Sequence, residues 1–407
     1  MCRALAANVE AHHLTTHSTG RAISRPFMQG SSLSAVCARR SIRALCASDL
    51  FRGFNMAGIR HHILPRFLLK GFASKVVGQE VFTWVYRKEG KIFEANIINV
   101  GVEKHFYGKE GELNVDDEIT DVERGFAILL DELRRNDNAY EIHNPKMAEF
   151  VGHLSSRTKH PRDSLIETTG VLTNILTSYL ADQNRFRSWI LEYYKRHPEV
   201  MKKGLDDALQ KMQLPRHQKL ILKQRMLMIL RPELVVSQMD KDIPQYALMF
   251  SALGPMLLEK IPVMAKEGHI KTLAKSLIPE PRVEDYRKLN WFVCKSDEPL
   301  ILGDVGCLFE VAGKKKFISL SGKEDDLKNI YLPISSDTLV VGAASIAMPQ
   351  VDFKSINENS AKISREFFVC RKSFPDMQQL LTILGTEAEI FSNDEIEQLV
   401  REVILEG

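Results

Sequence analysis

The spacing of apolar residues changes once along this chain, and that change limits the folds it can adopt. Between residues 116 and 265 apolar side chains recur every three or four positions, as in helices with one buried face. After Pro279-Glu280-Pro281 the spacing becomes two, and short runs rich in β-branched and aromatic residues follow, such as Trp291-Phe292-Val293-Cys294. Because helical and strand-like segments form separate blocks, the sequence predicts an α+β fold that is predominantly α-helical.

Strands are expected on both sides of the helical block. An N-terminal β-hairpin is predicted at residues 80–100, with its turn at Lys88-Glu89-Gly90-Lys91. A small C-terminal sheet is predicted from residues 291–294, 300–302, 307–309, 330–333 and 339–341. The chain should then end in helices at residues 352–371, 376–384 and 393–405. We hypothesise that the hairpin and the late sheet join into one layer, because an isolated two-stranded hairpin is only marginally stable.

The first 55 residues differ in composition from the rest. They contain seven Arg, no Lys and only Glu10 and Asp49 as acids, so the remaining residues carry a net charge of −2 although the whole chain has +3. That remainder has no overall basic excess of the kind seen in nucleic-acid-binding domains. We expect residues 1–55 to be a disordered or misassigned leader and residues 56–407 to be a single large domain. Within this domain, residues 56–135 contain the first helix, the hairpin and an acidic helix. Residues 136–275 form a helical middle, and residues 276–407 contain the small sheet and the last helices.

Two interpretations of the leader remain open. Its Arg-rich, Ser-rich and acid-poor composition is typical of a mitochondrial transit peptide. Alternatively, the run from His13 to Phe27 resembles a conceptual translation of the recombination repeats that separate integron gene cassettes. On that interpretation the true chain begins at Met56 and the gene is a mobile bacterial cassette.

Cysteine usage and hydropathy point to a cytoplasmic protein. After the leader only Cys294, Cys307 and Cys370 remain, without CxxC spacing, so neither a disulfide framework nor a zinc site is indicated. The most apolar run, residues 247–258, contains Gly254-Pro255 and is too short to span a bilayer. We therefore expect no transmembrane segment.

Two adjacent histidines, His61 and His62, stand directly before Ile-Leu-Pro and a short amphipathic helix. Pro65 suits the first helical turn, because its missing N–H removes nothing the helix would use. Adjacent residues cannot share one face of a regular element, so one ring should point inward and the other outward. A neutral imidazole here could ligate a metal or act as an acid or base near neutral pH. In the structural alternative, an inward His62 bound to a carboxylate holds the start of the helix.

Charged residues on later helices could complete a site with this pair. In the helix predicted at residues 116–135, Glu118 and Glu123 lie at opposite borders of the apolar face. Arg157 projects from the apolar face of the helix predicted at residues 145–158, where an unpaired guanidinium would be costly. Glu123 and Arg157 could therefore form a buried ion pair between neighbouring helices. Alternatively, the same pair could orient a carboxylate or bind a phosphate.

Three further charged positions also have a functional and a structural interpretation. Glu103-Lys104 resembles the Glu-x-Lys end of metal-dependent nucleases without its spacer, or it is a solvated pair. Asp304 before Val305-Gly306 is a candidate catalytic carboxylate or a turn residue. Lys314-Lys315-Lys316 is interpreted as a solvated loop rather than a contact to nucleic acid.

Several motifs share their order with one bacterial family. The run His61–Phe72 is similar to the opening motif of that family. Further segments that resemble motifs of the family follow in the family's order: residues 102–107, Glu118 with Glu123, Ser156-Arg157-Thr158 with Arg162, Leu302-Gly303-Asp304, residues 332–335 and residues 357–365. On these motifs, residues 56–372 resemble the family catalogued as domain of unknown function 4238. Two positions depart from its pattern: Gly303 stands where the family has a hydroxyl residue, and Pro161 lies three positions beyond Thr158. The family has no settled activity, so the resemblance implies an architecture and a set of positions.

The sequence leaves two hypotheses for function. It contains no P-loop, dinucleotide-binding Gly fingerprint, Gly-x-Ser-x-Gly elbow, His-Glu-x-x-His helix or paired CxxC, which disfavours NTPases, Rossmann dehydrogenases, α/β-hydrolases and zincins. The first hypothesis is a metal-assisted hydrolase, a nuclease-like effector that uses Mg²⁺ or Mn²⁺ on nucleic acid. Its catalytic groups would be His61, His62, Glu118, Glu123 and Asp304, and its binding groups Glu103, Lys104 and Arg157. The second is a non-enzymatic sensor or partner-binding protein of a defence or toxin–antitoxin system.

Overall fold

Three antiparallel sheets and a set of amphipathic helices make up the computed structural model, which describes residues 60–107, 115–312, 316–320 and 326–402. These residues belong to one compact unit, Asn55–Gly407. The predicted leader, the start at Met56, Lys314 and Lys315, and the end of the last predicted helix lie outside the described residues.

The strands are, in chain order, β1 Arg60–His62, β2 Lys75–Val77, β3 Glu80–Arg87, β4 Ile92–Asn96, β5 Val102–Lys104, β6 Tyr140–Ile142, β7 Asn290–Lys295, β8 Leu302–Gly303, β9 Leu308–Val311, β10 Phe317–Ile318, β11 Leu327–Pro333, β12 Thr338–Ala343 and β13 Phe367–Cys370. The α-helices are α1 Arg66–Leu69, α2 Val115–Arg135, α3 Lys146–Arg157, α4 His160–Ala181, α5 Gln183–Arg196, α6 Pro198–Lys211, α7 Arg216–Ile229, α8 Pro232–Met239, α9 Ile243–Lys275, α10 Glu280–Tyr286, α11 Phe353–Ile363, α12 Pro375–Thr382 and α13 Asn393–Arg401. This separation of helices from strands is the predicted α+β class.

The predicted hairpin, β3 and β4, joins the late part of the chain through two strands. Strand β3 pairs with β13, which in turn pairs with β8, and β2 completes this five-stranded sheet. The other five late strands and the earlier strand β6 form a separate six-stranded sheet in the order β10-β9-β11-β12-β7-β6. The expected single layer is therefore two sheets, of which only the first contains the hairpin.

The predicted helix at residues 352–371 is wrong in its second half. Helix α11 ends at Ile363, and the chain continues as strand β13. The four residues of this strand, Phe-Phe-Val-Cys, are all buried, because one face meets the large core and the other a smaller core under α12. A strand that is buried on both faces has no alternation of polar and apolar residues, so periodicity does not distinguish it from a helix.

The opening helix packs inward as its apolar stripe predicts. Helix α1 and the following 3₁₀ turn, Lys70–Phe72, bury Leu64, Leu68 and Phe72 completely in the main core. The preceding residues form β1, which pairs with β5 and sets His61 opposite Glu103. The short β1–β5 sheet thereby holds the histidine pair against the start of the helix.

Helices α4 to α9 form a helical lobe, residues 160–275, where the sequence predicts a helical middle. Helix α9 contains Pro255 and Pro262, as the helix expected at residues 245–265 does, and it extends ten residues further, to Lys275. It packs along α4, and a Cβ on Gly254 would come within 2.8 Å of Thr177 Oγ1, so this close packing supports the helix where proline would otherwise end it. Within the described residues, α9 is the one helix whose length and composition would allow it to cross a membrane, and 17% of its most apolar window is buried.

Candidate functional site

A polar cluster forms where the β1–β5 sheet meets α2 and the junction of α3 and α4. We call it the motif cluster, and its members are His61, His62, Glu103, His105, Tyr107, Asp116, Glu123, His153, Arg157, Lys159 and Arg162. The two-residue connection between α3 and α4 carries Arg157 and Arg162 to the same end of these helices. That end faces β1 and β5, so residues far apart in the chain become neighbours.

Arg157 lies at the centre of the motif cluster and is only 2% exposed. Its Nη1 group forms an ion pair with the carboxylate of Glu123, and Nη2 donates to the carbonyl oxygen of His62. Nε donates to the hydroxyl oxygen of Tyr107 over 3.1 Å. The buried ion pair between α2 and α3 is the structural alternative inferred from the sequence, and here it also ties both helices to β1.

His153 is a member of this group that the sequence did not single out. Its Nδ1 atom lies 3.1 Å from the carbonyl oxygen of Leu277, and its Nε2 atom lies 3.6 Å from Glu123 Oε1. Burial lowers the pKa of His153 to about 4, so the ring is neutral at pH 7. The side chain therefore adds packing and polar contact next to the ion pair without adding charge.

The inward histidine is His61, which is 4% exposed, whereas His62 is half-buried. The expectation that one ring points inward is confirmed, but the choice of His62 for that position is wrong. His61 Nδ1 accepts the backbone N–H of Tyr107 over 3.1 Å, so the neutral ring carries its proton on Nε2. Burial lowers the pKa of His61, and the nearby carboxylate of Asp116 opposes that shift. A proton or metal at Nδ1 would have to displace the bond to Tyr107.

Four buried histidine ring nitrogens have no hydrogen-bond partner among the described residues. They are Nδ1 of His62, His105 and His269, and Nε2 of His153. Burial, Arg66 and Arg157 lower the pKa of His62 to about 4, which keeps its ring neutral. His105 has a φ of 54°, a left-handed conformation that is uncommon for residues other than glycine. Such strained positions are concentrated at functional sites.

The outer part of the motif cluster is a second set of ion pairs. Arg162 donates from Nη2 to Glu103 Oε1 over 2.7 Å and stacks on the ring of Phe106 at 4.1 Å. Lys159 Nζ lies 3.7 Å from Glu103 Oε2 and 2.5 Å from Glu366 Oε1. Glu103 is thus neutralised by residues of the α3–α4 junction and α4.

Asp304 caps the backbone at the start of β13. Its carboxylate accepts the N–H groups of Arg365, Glu366 and Phe367 over 3.0, 2.6 and 3.2 Å. Burial raises the pKa of Asp304 to about 6, although these three donors oppose the shift. The structural interpretation, a turn carboxylate, matches this geometry, and Lys159 links the turn to the motif cluster through Glu366.

Arg365, next to that turn, anchors a network that sequence reasoning missed. Its guanidinium binds Glu167 through two bonds of 2.5 and 2.8 Å and donates from Nε to His160 Nδ1 over 3.0 Å. The other ring nitrogen of His160 bonds to the hydroxyl of Ser319. Burial and the Arg365 charge lower the pKa of His160 to about 3. No local signal reveals this network, because Arg365 lies between Ser364 and Glu366 in the connection from α11 to β13.

Three of the predicted site residues, Glu118, Lys104 and Asp304, are not members of the motif cluster, and Asp304 instead binds the backbone of residues 365–367. Glu118 and Lys104 are exposed, and Asp116, two residues before Glu118, is the α2 carboxylate that interacts with His61. The structure does bring together His61, His62, Glu103, Glu123 and Arg157. In the described ranges, no group of three or more His, Cys, Asp or Glu side chains is arranged to hold a metal ion.

Comparison with known proteins adds a family but no activity. The model of the family described as "Protein of unknown function (DUF4238)" matches residues 60–367, about three quarters of the chain. The chain therefore belongs to this family, as its motifs predict. No curated protein and no solved structure matches it.

Proposed function

From membership of a family whose description names no activity, we propose that this chain is a non-enzymatic partner-binding protein, in which the motif cluster is a structural lock. One observation carries the proposal. The buried guanidinium groups of Arg157 and Arg162 are each paired with a carboxylate from another element, Glu123 and Glu103. On this proposal the protein serves as the sensor or binding component of a defence or toxin–antitoxin system.

Charge neutralisation within the lock supports this role. A site for phosphate or nucleic acid needs a guanidinium whose donors are free to bind the anion in a bidentate manner. Here a phosphate would have to displace Glu123 from Arg157, at a position that is almost inaccessible to solvent. Removing one partner of a buried pair costs about 3–5 kcal/mol, which a weakly bound substrate would not offset.

The occupied nitrogen of His61 also supports a structural role. A general base needs an available lone pair, and the Nδ1 lone pair of His61 is bound to the Tyr107 amide. The same hydrogen bond fixes the ring across the β1–β5 sheet. We therefore assign His61 to positioning of the opening strand.

A metal-assisted hydrolase is the second candidate, and the unpartnered nitrogen atoms favour it. His62 Nδ1, His105 Nδ1 and Arg162 Nη1 are buried without partners among the described residues, and His105 has a strained backbone. A ligand could satisfy these groups. In that case His62, rather than His61, would supply the ring nitrogen, and Asp116, which interacts electrostatically with His61, would be a candidate carboxylate.

A cleavage assay distinguishes the two candidates. The full chain, beside His62→Asn and the exposed control Lys104→Gln, is incubated with DNA and RNA in Mg²⁺ or Mn²⁺. We expect no cleavage above that of His62→Asn, and a melting temperature that does not respond to Mg²⁺, Mn²⁺ or Zn²⁺. Cleavage by the wild type and by Lys104→Gln, but not by a folded His62→Asn, would overturn the non-enzymatic proposal.

A further inference from the structure

The helical lobe contains a basic segment in a chain whose residues beyond the leader have a net negative charge. Residues 208–232 include six basic side chains and no acidic one: Lys211, Arg216, Lys219, Lys223, Arg225 and Arg231. Most of this segment is helix α7 and the turn before it. A local concentration of positive charge of this kind creates a potential that attracts anionic surfaces.

Helix α7 is also unusually apolar for its exposure. It contains no fully buried residue, although seven of its 14 residues are Leu, Ile or Met. Leu220, Ile221, Leu227 and Met228 are between 37% and 79% exposed. Amphipathic helices of soluble proteins normally turn such side chains toward the core. Here Leu222, Met226 and Leu230 face inward and are half-buried, so the outer apolar residues form a second face.

The exposed apolar and basic residues of α7 are arranged in order around the helix. At 3.6 residues per turn, Leu227, Leu220, Met228 and Ile221 fall within an arc of roughly 120° on the outer side. The exposed polar side chains of His217 and Gln224 lie within the same arc, and the exposed Ile229 lies outside it. Arg216 and Arg225 border this arc on opposite sides. Neither guanidinium has a carboxylate partner among the described residues. Flanking arginines can bind headgroup phosphates while the aliphatic side chains between them enter the acyl region.

The remaining lysines of the helix point toward the protein. Lys223 Nζ lies 2.5 Å from Asp206 Oδ1, and Lys219 Nζ donates to the carbonyl oxygen of Gln210 over 3.1 Å. These contacts hold α7 against α6 and fix which face looks outward. The outer face is therefore defined by packing on α6.

We propose that the outer face of α7, defined by Arg216, Leu220, Ile221, Arg225, Leu227 and Met228, docks onto the surface of an anionic lipid bilayer. The combination of unpaired arginines with exposed aliphatic side chains matches the phosphates and the acyl region of such a surface. Because this face shares no residue with the motif cluster, its membrane binding is independent of whether the cluster is catalytic.

Two other occupants fit this face less well. A second copy of the chain packed symmetrically would place the same unpaired arginines of both copies close together. Nucleic acid would satisfy the arginines, but residues 208–232 contain no Phe, Tyr or Trp on which bases could stack. The exposed Leu, Ile and Met side chains would remain in water in such a complex.

Vesicle sedimentation with the full chain tests the proposal. The vesicles consist of phosphatidylcholine alone, or of phosphatidylcholine mixed with phosphatidylglycerol, and NaCl is varied. We expect binding to the phosphatidylglycerol vesicles only, and release at high salt, because the attraction to anionic lipid is screened. Each arginine near an anionic surface contributes about fivefold in affinity, so Arg216→Gln/Arg225→Gln should weaken binding about 25-fold.

Matched variants test whether binding depends on this face of α7 rather than on charged or apolar side chains elsewhere on the protein. Lys202→Gln/Lys203→Gln removes the same charge from exposed positions of α6, and we expect it to bind like the wild type. Met228→Gln/Leu220→Gln should weaken binding, whereas Leu248→Gln on α9, 71% exposed, should not. Circular dichroism checks that each variant melts like the wild type.

Four outcomes would overturn the proposal. The first is equal binding to both vesicle types. The second is binding that persists at high salt, which is the result expected if α9 inserts into the bilayer. The third is binding that is unaffected by the α7 variants. The fourth is absence of vesicle binding. If vesicle binding is absent, two further measurements identify the occupant. The face binds nucleic acid if the protein binds DNA or RNA and Arg216→Gln/Arg225→Gln does not. The face binds a second copy if light scattering shows a dimer that Met228→Gln/Leu220→Gln does not form.

Discussion

Removing either partner of the Arg157–Glu123 ion pair should destabilise the protein strongly, and removing both should destabilise it less. In Glu123→Met the guanidinium of Arg157 keeps only neutral acceptors, the Tyr107 hydroxyl and the His62 carbonyl, while remaining 2% exposed. In Arg157→Met the carboxylate of Glu123 is orphaned, but its side chain is 17% exposed and is partly solvated. The double variant Arg157→Met/Glu123→Met leaves no buried charge.

The magnitudes follow from these exposures. Orphaning one member of a buried pair costs about 3–5 kcal/mol, and replacing both members by apolar groups is often close to neutral. We therefore expect Glu123→Met to fall at the upper end of that range and Arg157→Met at the lower end. The double variant should lose about 2 kcal/mol for the unpaired hydroxyl and carbonyl, which Arg157 no longer reaches. The coupling free energy between the two sites, which is the sum of the two single losses minus the double loss, is then about 6 kcal/mol.

Urea unfolding of all four proteins, followed by tryptophan fluorescence, measures this coupling through the midpoint and slope of each transition. The matched control is the exposed pair Arg124–Asp121 on the same helix, whose partners are 75% and 69% exposed. The same cycle on this control should give a coupling of less than about 1 kcal/mol. Additive losses in the Arg157–Glu123 cycle, or a double variant that is less stable than both single variants, would refute the account of the lock.

Three further predictions concern pH, packing and the turn at Asp304. Because the pKa values of His153 and His160 are lowered in the folded protein, the unfolded chain binds more protons than the folded one below about pH 6.5. The free energy of unfolding should therefore fall between pH 6.5 and about 4. His160→Gln should reduce this fall when stability is measured as a function of pH. The raised pKa of Asp304 has the opposite effect: its contribution to stability is complete below about pH 4 and is lost as pH rises through 6. Asp304→Asn should remove this contribution, so the stability of that variant should fall more steeply on acidification. A Cβ at Gly303 would lie 2.0 Å from Ser364 Oγ, so Gly303→Ala should cost about 1–3 kcal/mol by calorimetry, and Ser364→Gly in the same chain should recover most of it. A stability profile without a fall toward pH 4, or no recovery by Ser364→Gly, would contradict these assignments.

Gly303 shows how a distant contact can decide which residue fits a position. The hydroxyl of Ser364 occupies the space that a side chain at 303 would need. Ser364 donates to the carbonyl oxygen of Ser360 over 2.6 Å, at the end of α11. This contact joins residues that are 61 positions apart, which the sequence pattern alone does not reveal.

Sequence reasoning worked best where a local pattern decides the structure. Helix α2 was expected at residues 116–135 and spans Val115–Arg135, because most of its apolar residues lie on one face, where Ile119, Phe126, Leu129, Leu130 and Leu133 are buried. The two histidines do point to opposite sides, since adjacent residues of a strand must. Reasoning failed at β13, where four consecutive buried residues have no periodicity to interpret.

The sequence by itself determined the class of fold, the existence of the main elements and the presence of a buried cation on α3, because these depend on the spacing of neighbouring residues. Only the tertiary structure decided that Arg157 pairs with Glu123, that His61 is the inward ring and that Asp116 rather than Glu118 faces it. It also decided that the apolar outer face of α7 stays uncovered. The physical reason is that a charge or an apolar face acquires its partner from an element far away in the chain, and that choice depends on how helices and sheets pack rather than on the local sequence.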